Sequence, residues 1–405
     1  MMFREFSFRA FASGHIPLVL AIAGLMGCAT DIYPGFHKPV VCRTEPPIAS
    51  SVFLIGDAGE PTLPEPDAAN PDALIDPVLA ALADEVRQRV TVLGADDTAV
   101  IVIGDNVYPA GMPPAGQEGH ERAQRVLEAQ IAAIGEARGF FILGNHDWDQ
   151  AKDHGWKHAR AQHDYLAARA PNISVHPPDI CPGPESVDFS DDLRFVFFDF
   201  WSAIYQMDHP DGPLAHCQPR AGDGRLIPLI KSSFSSDDRR RVLFIAHPPI
   251  ITAGPHGGYL PWREHLFPLR VFNSKLWIPL PIIGSIFPLA RKLGVTEADL
   301  SNPRYRDYAR QTLEAMEPGY PALVVGGHEH SLQIHVGPSG VFHAVSGAGS
   351  SGKVDFVRDL DSELMALAAP GFMRLDVYED RRLRLNVIAI DDDDVPHRVF
   401  STCIP

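Results

Sequence analysis

Short apolar runs alternate with longer amphipathic stretches in the first part of the chain. Buried strands are predicted where the runs are rich in β-branched and aromatic residues, at 52–55, 98–103 and 140–143. The stretches at 73–90 and 118–137 have helical spacing, and Asp72 is predicted to cap the first of them. This alternation is typical of an α/β fold, with a parallel sheet and helices outside it.

The second half of the chain continues these signals and adds alternating strands. Helices are predicted at 156–168 and 305–316, and strands at 193–198, 242–245, 322–325, 332–336, 341–345, 372–378 and 383–390. No internal repeat interrupts the series. We therefore predict one domain over residues 51–405.

Residues 260–302 do not fit this pattern and form a predicted insert. Its segment 276–289 (LWIPLPIIGSIFPL) is strongly apolar, but three prolines and a glycine exclude a regular membrane-spanning helix. Two interpretations stay open. The insert is either a loop packed on the domain, or a lid or membrane-facing patch beside a functional site.

The N-terminus has the features of a targeting segment. Arg4 and Arg9 precede a short apolar stretch at 16–26, which ends in Leu25-Met26-Gly27-Cys28. This ending resembles the lipobox of bacterial lipoproteins, which are cut before the cysteine and lipidated on it. We predict a signal peptide at 1–27, a lipid-anchored Cys28 and a tether at 28–50, in the bacterial cell envelope on the periplasmic or surface side. The alternative is an ordinary signal peptide cut nearby.

Composition limits the classes of function. Of 405 residues, 45% are hydrophobic and 21% charged, as in a globular protein, and the formal net charge is −16. Nucleic acid is therefore not an expected partner, and any affinity for phosphate requires a local positive centre. The oligomeric state is left open by the sequence.

Four cysteines remain beyond Cys28, and an even number in an exported chain indicates disulfides. Four cysteines allow three pairings. Cys181 and Cys217 flank one strand region, and Cys42 and Cys403 lie at the two ends of the domain. These positions favour the pairs Cys181–Cys217 and Cys42–Cys403.

Polar residues that suit metal ions follow five of the apolar runs. They are Asp57, Asp105 with Tyr108, Asn145 with His146, His247, and His328 with His330. Singly, each has an ordinary explanation as a helix cap or a surface histidine, which is how we interpret His154, His158 and His163. Because strand ends meet at one edge of a sheet, the five together predict a dinuclear metal site.

The types of these residues indicate the chemistry. Carboxylate, phenolate and imidazole suit iron, zinc and manganese, and no thiolate is among them. Two such cations about 3.5–4 Å apart hold a phosphate group and lower the pKa of a coordinated water. A metal-bound hydroxide is then predicted to attack a phosphate ester.

The five stretches resemble, in order, the motifs of the purple acid phosphatases, a branch of the metallophosphoesterase superfamily. They are Asp57-Ala58-Gly59, Gly104-Asp105-Asn106-Val107-Tyr108, Gly144-Asn145-His146, His247 and Gly327-His328-Glu329-His330. Most of the superfamily has a histidine in place of Gly59 and lacks Tyr108. The resemblance covers residues 51 to about 350 and is greatest to the small, tartrate-resistant type.

This resemblance implies a fold, a cofactor and a role for each residue. The fold is a four-layer αββα sandwich of two facing mixed β-sheets with helices on both outer sides. Ferric iron is bound by Asp57, Tyr108 and His330, and a divalent iron, zinc or manganese by Asn145, His247 and His328. Asp105 bridges the two metals, His146 contacts the phosphate and aids the leaving group, and His256 is a second histidine outside the metal ligands. The insert at 260–302 departs from the family pattern.

The function predicted on this basis is a phosphomonoesterase, an acid phosphatase. A phosphodiesterase or nucleotide-hydrolysing enzyme on the same site is an alternative, because the metals recognise phosphate and the loops select the rest. A non-catalytic surface lipoprotein with this fold is a further alternative, although no ligand of the family set is missing.

Overall fold

The structure is a computed structural model in which part of the chain is described. The described residues are 35–36, 39–42, 46–65, 68–70, 73–152, 155–206, 217, 224–234, 240–271, 276–350, 352–358 and 360–405. The predicted signal peptide, the lipobox with Cys28, and His154 lie outside these residues.

The described residues contain strands that we number in chain order. They are β1 (Gly35–Phe36), β2 (Ile48–Ile55), β3 (Thr98–Ile103), β4 (Arg138–Ile142), β5 (Ile173–Val175), β6 (Glu185–Asp188), β7 (Leu193–Phe197), β8 (Arg241–Ile245), β9 (Leu323–Gly326), β10 (Leu332–Val336), β11 (Phe342–Ser346), β12 (Glu363–Leu367), β13 (Gly371–Tyr378), β14 (Leu383–Ile390) and β15 (Pro396–Ile404).

The α-helices of the same residues are numbered likewise. They are α1 (Pro77–Leu93), α2 (His120–Ile134), α3 (Gly155–Arg169), α4 (Leu226–Phe234), α5 (Trp262–Leu266), α6 (Ile286–Lys292) and α7 (Pro303–Ala315). None of them is both long enough and apolar enough to cross a bilayer.

The strands form two mixed sheets. An eight-stranded sheet has the order β1-β12-β10-β11-β9-β8-β7-β6, in which β7, β8, β9 and β11 run parallel. A seven-stranded sheet has the order β15-β14-β13-β2-β3-β4-β5, in which β2 to β5 run parallel and β13 to β15 are antiparallel. The parallel strands of each sheet therefore occupy its centre or one side.

The two sheets pack face to face, and helices cover both outer sides. Leu54 and Ile101 of the seven-stranded sheet share one buried cluster with Phe195 and Leu243 of the eight-stranded sheet. On the outer face of the seven-stranded sheet, α1, α2 and α3 cover alternate strand residues such as Val100. The helices α4 and α7 cover the outer face of the eight-stranded sheet. The predicted four-layer sandwich is thus confirmed.

Several element boundaries differ from the predictions, and α1 shows why. It begins at Pro77 and not at residue 73, and its cap is Asp76, whose Oδ1 accepts hydrogen bonds from the backbone N–H groups of Val78 and Leu79 at 3.0 and 3.2 Å. Asp72, the predicted cap, lies outside the described residues. Proline suits the first turn because it has no N–H group to leave unpaired. The prediction also missed β1, β5, β6, β12 and β15, and the helices α4, α5 and α6.

Two disulfides join the cysteine pairs that the sequence favoured. Cys181 is bonded to Cys217, and Cys42 is bonded to Cys403 of β15. Beside the second bond, Cys403 N–H donates to Val40 O at 2.9 Å, and Val40 N–H donates to Thr402 Oγ1 at 3.1 Å. The segment at 39–42, which we predicted to be tether, therefore packs on the domain, as an oxidising compartment allows.

Removal of the Cys42–Cys403 bond is expected to lower stability without loss of function. Because the bond closes a very long loop, the Cys42→Ser/Cys403→Ser variant should lose about 2–4 kcal/mol of unfolding free energy. Urea unfolding without reductant measures this. An unchanged unfolding midpoint would show that the bond adds nothing to stability.

Candidate metal centre

All five sequence motifs meet at one edge of the sandwich. Asp57, Asp105, His247 and His328 each lie two residues past the end of a parallel strand, and Asn145 lies three past β4. These side chains are buried, as are Tyr108 and His330, whereas His146 is half-buried. The structure therefore brings together every residue of the predicted ligand set.

The backbone at these strand ends is strained. Asp57, Asp105 and His328 have φ angles of 59°, 52° and 69°, which residues with a side chain rarely adopt. Strain of this kind is common at functional sites. It turns each side chain inward immediately after its strand.

Two glycines of the motifs allow the loops to approach one another. A Cβ atom on Gly59 would lie 2.6 Å from Asp105 O, and one on Gly144 would lie 2.3 Å from Asp105 Oδ1. The loop of Gly59 also holds Tyr108, whose N–H donates to Gly59 O at 3.1 Å. Larger residues at these two positions would push Asp105 or Tyr108 away from the centre.

The first of two clusters surrounds the Tyr108 hydroxyl group. Its oxygen lies 2.9 Å from Asp57 Oδ1, 3.1 Å from Asp105 Oδ2 and 3.1 Å from His330 Nε2. His330 Nε2 is in turn 3.5 Å from Asp57 Oδ1. These are the residues that the sequence assigns to ferric iron, together with one oxygen of Asp105.

The second cluster surrounds the other oxygen of Asp105. His247 Nε2 lies 3.4 Å from Asp105 Oδ1 and 3.1 Å from Asn145 Oδ1. Ligand atoms of Asp105, His247 and His328 all lie within 4.8 Å of one another. The two oxygens of Asp105 thus face different clusters.

Each histidine of the centre is fixed by one ring nitrogen, which leaves the other for a metal. His247 Nδ1–H donates to Ile103 O at 2.7 Å, and His328 Nε2–H donates to Ala298 O at 2.8 Å. His330 Nδ1 is 2.9 Å from Asp355 Oδ2. Metal-binding histidines are usually oriented in this way by a carbonyl or carboxylate group.

The donor set fits cations because it holds more acceptor atoms than protons. Tyr108 has one hydroxyl proton but faces two carboxylate oxygens and His330 Nε2 within 3.1 Å, and the carbonyl oxygen of Asn145 faces His247 Nε2 at 3.1 Å. Without metal, protons take the place of the cations: burial lowers the pKa of His247, but Asp105 outweighs this and raises it to about 9. Burial likewise lowers the pKa of His330, but Asp355 and Asp57 raise it to about 10.

The acidity of Tyr108 also depends on a cation. Burial, followed by the charges of Asp105 and Asp57, raises the pKa of its phenol well above the ordinary value. Without metal the residue is therefore a neutral phenol at any mild pH. A cation placed among these oxygens reverses the local electrostatics and favours the phenolate.

A cavity of about 890 Å³ opens onto the centre. His146 lines it and keeps its orientation because Nδ1–H donates to Pro109 O at 2.5 Å. His256 also lines it; its ring centroid is 4.0 Å from that of His328, and its Nδ1 is 2.9 Å from Asp299 Oδ1. Both histidines that the resemblance implies therefore line the cavity that opens onto the centre.

Several residues of the site were missed by the sequence reasoning. Asp355 pairs with His330, and burial would raise its pKa, but His330 lowers it to about 2. Lys353 Nζ lies 4.0 Å from the centroid of the Tyr108 ring. Asp147 Oδ1 accepts from the backbone N–H groups of Asn106 and Val107 at 3.0 and 3.2 Å and so supports the Asp105 loop. Only Asp147 had a local signal, its place directly after Gly144-Asn145-His146.

Asp199 is buried within reach of the charge of His247, and it predicts a pH effect on stability. Burial raises its pKa to about 7, although Ser202 N–H and Trp148 Nε1–H each donate to it at 2.9 Å. The folded state therefore holds a proton that the unfolded chain releases above its ordinary pKa of about 4. Its contribution to stability is complete below pH 4 and is lost as the pH rises towards 7.

We expect Asp199→Asn to remove this pH dependence. In metal-free protein, the unfolding free energy of the wild type should fall relative to that of the variant between pH 4 and 7, by at most about 4 kcal/mol. Urea unfolding across this range measures the difference. Parallel pH profiles for the two proteins would contradict the raised pKa.

Comparisons with known proteins give a likeness of structure only. A scan against protein-family models finds no match, and a search of curated proteins finds none. Among solved structures, purple acid phosphatase PPD1 from seeds of yellow lupin (Lupinus luteus) matches with a TM-score of 0.51 and 14% identity, over 92% of this chain and 54% of the lupin chain. GAP50, the anchor in the inner membrane complex of Plasmodium, matches with a TM-score of 0.49 and 13% identity, over 88% of this chain and 89% of its own.

This chain spans about half of the lupin protein, so the likeness concerns the shared domain and not the whole of that molecule. At 14% identity the likeness establishes the fold alone, and the chemistry has to be inferred from the residues of the site. The two facing sheets and the flanking helices agree with the fold that the sequence resemblance implies. The chain has the metallophosphoesterase fold of the purple acid phosphatases.

Proposed function

We propose that this protein is a phosphohydrolase with two metal ions. Among phosphohydrolases, we propose a phosphomonoesterase. The observation that carries the proposal is the division of Asp105, whose Oδ2 faces Tyr108 and whose Oδ1 faces His247. A carboxylate so placed serves two cations at once. The ferric site is assigned to Asp57, Tyr108 and His330, and the divalent site to Asn145, His247 and His328.

The residues of the cavity divide the remaining work. When bound, two cations would neutralise the phosphate group and lower the pKa of the water that attacks it. Because Nδ1–H of His146 is held by Pro109 O, a proton for the leaving oxygen has to come from Nε2 of the doubly protonated ring. Burial lowers the pKa of His146, so acidic pH favours this form. A monoester carries nearly two negative charges near neutral pH. Lys353 brings a positive charge to it, and His146 and His256 line the same cavity with ring nitrogens.

Metal analysis and a substrate pair test the proposal. The purified protein should contain two metal ions per chain and hydrolyse p-nitrophenyl phosphate faster than bis-p-nitrophenyl phosphate, at mildly acidic pH. Chelation should abolish the hydrolysis, and iron with zinc or manganese should restore it. Faster turnover of the diester would favour a phosphodiesterase, and no turnover by fully metal-loaded protein would favour a non-catalytic role.

A further inference from the structure

Exposed apolar side chains are concentrated in one part of the described chain. Of the nineteen large apolar residues that are exposed there, ten lie between residues 262 and 295. We define the apolar face by six of them, Trp262, Trp277, Ile278, Ile283, Ile286 and Leu293. Large exposed apolar patches are rare on monomeric soluble proteins and mark sites of contact with a protein or a membrane.

The apolar face belongs to one compact unit. The helix α5 packs against α6 and the turn Ile283–Ser285 that precedes it. Leu280 N–H donates to Leu266 O at 2.8 Å, and the ring of Trp277 lies 5.2 Å from that of Phe267. The insert is therefore folded, and it keeps its apolar side chains outward although it has an interior. The prediction of a loop packed on the domain accounts for only part of it.

The composition of the insert indicates what covers it. Trp262 and Trp277 are 53% and 56% exposed, whereas Trp148 and Trp201 are buried in the domain. Exposed tryptophan is typical of surfaces that meet the boundary between lipid and water. Residues 262–295 also contain five Lys or Arg and one Glu, in a chain of net charge −16. Of the basic side chains that the structure describes there, Arg291 is bonded to Asp299, whereas Lys292 is exposed. Basic residues beside an apolar surface attract anionic lipid headgroups, which the rest of the chain repels.

The chain reaches the domain on the side of the insert. Gly35–Phe36 pairs with Met365 and Ala366 of β12, and Ala366 packs on Val357. The neighbouring ring of Phe356 lies 5.9 Å from the Arg263 guanidinium group of α5. Cys28 precedes Gly35 by seven residues, which span at most about 25 Å. A lipid on Cys28, as the sequence predicts, would hold the bilayer within reach of the apolar face.

We propose that the apolar face docks on the surface of an anionic lipid bilayer. Neither α5 nor α6 is long enough to cross the bilayer, so the contact lies in the plane of the headgroups. Leu260, Arg263 and Phe287 of the same region line the cavity over the metal centre. Docking therefore turns the mouth of the cavity towards the lipid, a consequence that rests on the proposed function.

Quenching of tryptophan fluorescence tests the docking in the full-length anchored protein. The protein is reconstituted in vesicles of phosphatidylglycerol and phosphatidylcholine in equal parts, with brominated acyl chains. Bromine quenches only tryptophans at the lipid, so the wild type should lose roughly two fifths of its emission, the share of Trp262 and Trp277 among five tryptophans. Trp262→Phe/Trp277→Phe should show almost no quenching, and vesicles of phosphatidylcholine alone should quench the wild type less.

A matched pair of variants separates docking from the lipid anchor. Ile283→Glu/Ile286→Glu places two charges on the apolar face and should abolish most of the quenching. Val92→Glu/Val399→Glu places two charges on exposed apolar positions outside the insert and should leave it unchanged. Both variants should hydrolyse soluble p-nitrophenyl phosphate as the wild type does, so the quenching result stands apart from the proposed activity.

Two results would overturn the proposal. Equal quenching in the two double variants would show that the anchor alone brings the tryptophans to the lipid. An unquenched wild type whose dimer dissociates in Ile283→Glu/Ile286→Glu, by sedimentation, would show that a second copy of the chain covers the apolar face.

Discussion

Replacement of Asp105 by asparagine is expected to lower the rate of phosphate monoester hydrolysis by more than about 100-fold. Loss of a residue that only orients a metal ligand lowers activity by up to about 100-fold, and loss of a ligand shared by two metals should cost more. The two oxygens of Asp105 face different clusters, one at Tyr108 and one at His247. Asparagine has no charge and places an NH₂ group at one of the two positions, so one cation loses its acceptor and both lose a negative neighbour. Metal analysis should find fewer than two ions per chain.

The matched control for this change is Asp199→Asn, which makes the same replacement at a buried carboxyl group whose pKa is raised to about 7 by burial. Asp199 bonds to Trp148 and Ser202 and has no place in the ligand set, so this variant should keep both metals and most of its activity. Circular dichroism should show both variants folded, because the sheets rest on apolar residues such as Leu54 and Ile101. Full metal occupancy in Asp105→Asn would contradict the bridging role.

The sequence predicted which of these side chains meet at one edge, because they directly follow short buried strands. In β3 the apolar run from Thr98 to Ile103 ends at Gly104, and Asp105 comes next. Both facts are local, so the strand and the position of the carboxylate can be read together. The same holds for His247 after β8 and His328 after β9. Parallel strands then bring their carboxyl ends to one edge without further information.

Residues that act from irregular loops could not be predicted. Asp355 orients His330, and Ala298 O accepts from His328, but neither follows a strand or helix signal. Their positions depend on how the loop at 352–358 and the end of the insert pack over the cavity. Arg291 and Asp299, which bond to each other beside His256, are likewise brought together by tertiary packing alone.

The predictions of element boundaries and of edge strands were wrong for a different reason. The first four residues of β15, Pro396 to Val399, are exposed, so they lack the apolar alternation that marks a strand with one buried face. The dipeptide Asp76-Pro77 is a strong start signal for α1, but the apolar residues before it extended the predicted helix by one turn. Pairing with β14 decides the first case, and a local cap that the prediction overlooked decides the second.

The second prediction with a large expected effect concerns the visible absorption of the protein. Iron-loaded protein is expected to show a broad visible absorption band that is lost in Tyr108→Phe. The hydroxyl oxygen of Tyr108 lies among Asp57, Asp105 and His330, where its phenol stays protonated unless a cation binds. A phenolate on ferric iron transfers electron density to the metal and absorbs visible light, whereas carboxylate and imidazole ligands do not do so appreciably. Phenylalanine keeps the ring and removes only this oxygen.

Tyr165→Phe is the control, because Tyr165 bonds to Glu128 on the outer helices and should leave the band unchanged. Part of the hydrolysis should survive in Tyr108→Phe, since Asp105 and His146 remain, so loss of colour and loss of turnover can be separated. A visible band retained in Tyr108→Phe would assign it to another ligand. A colourless wild type that is fully active and contains no iron would contradict the ferric assignment of Asp57, Tyr108 and His330. It would leave the two-metal phosphohydrolase intact, because the division of Asp105 between two clusters does not depend on which metals they hold.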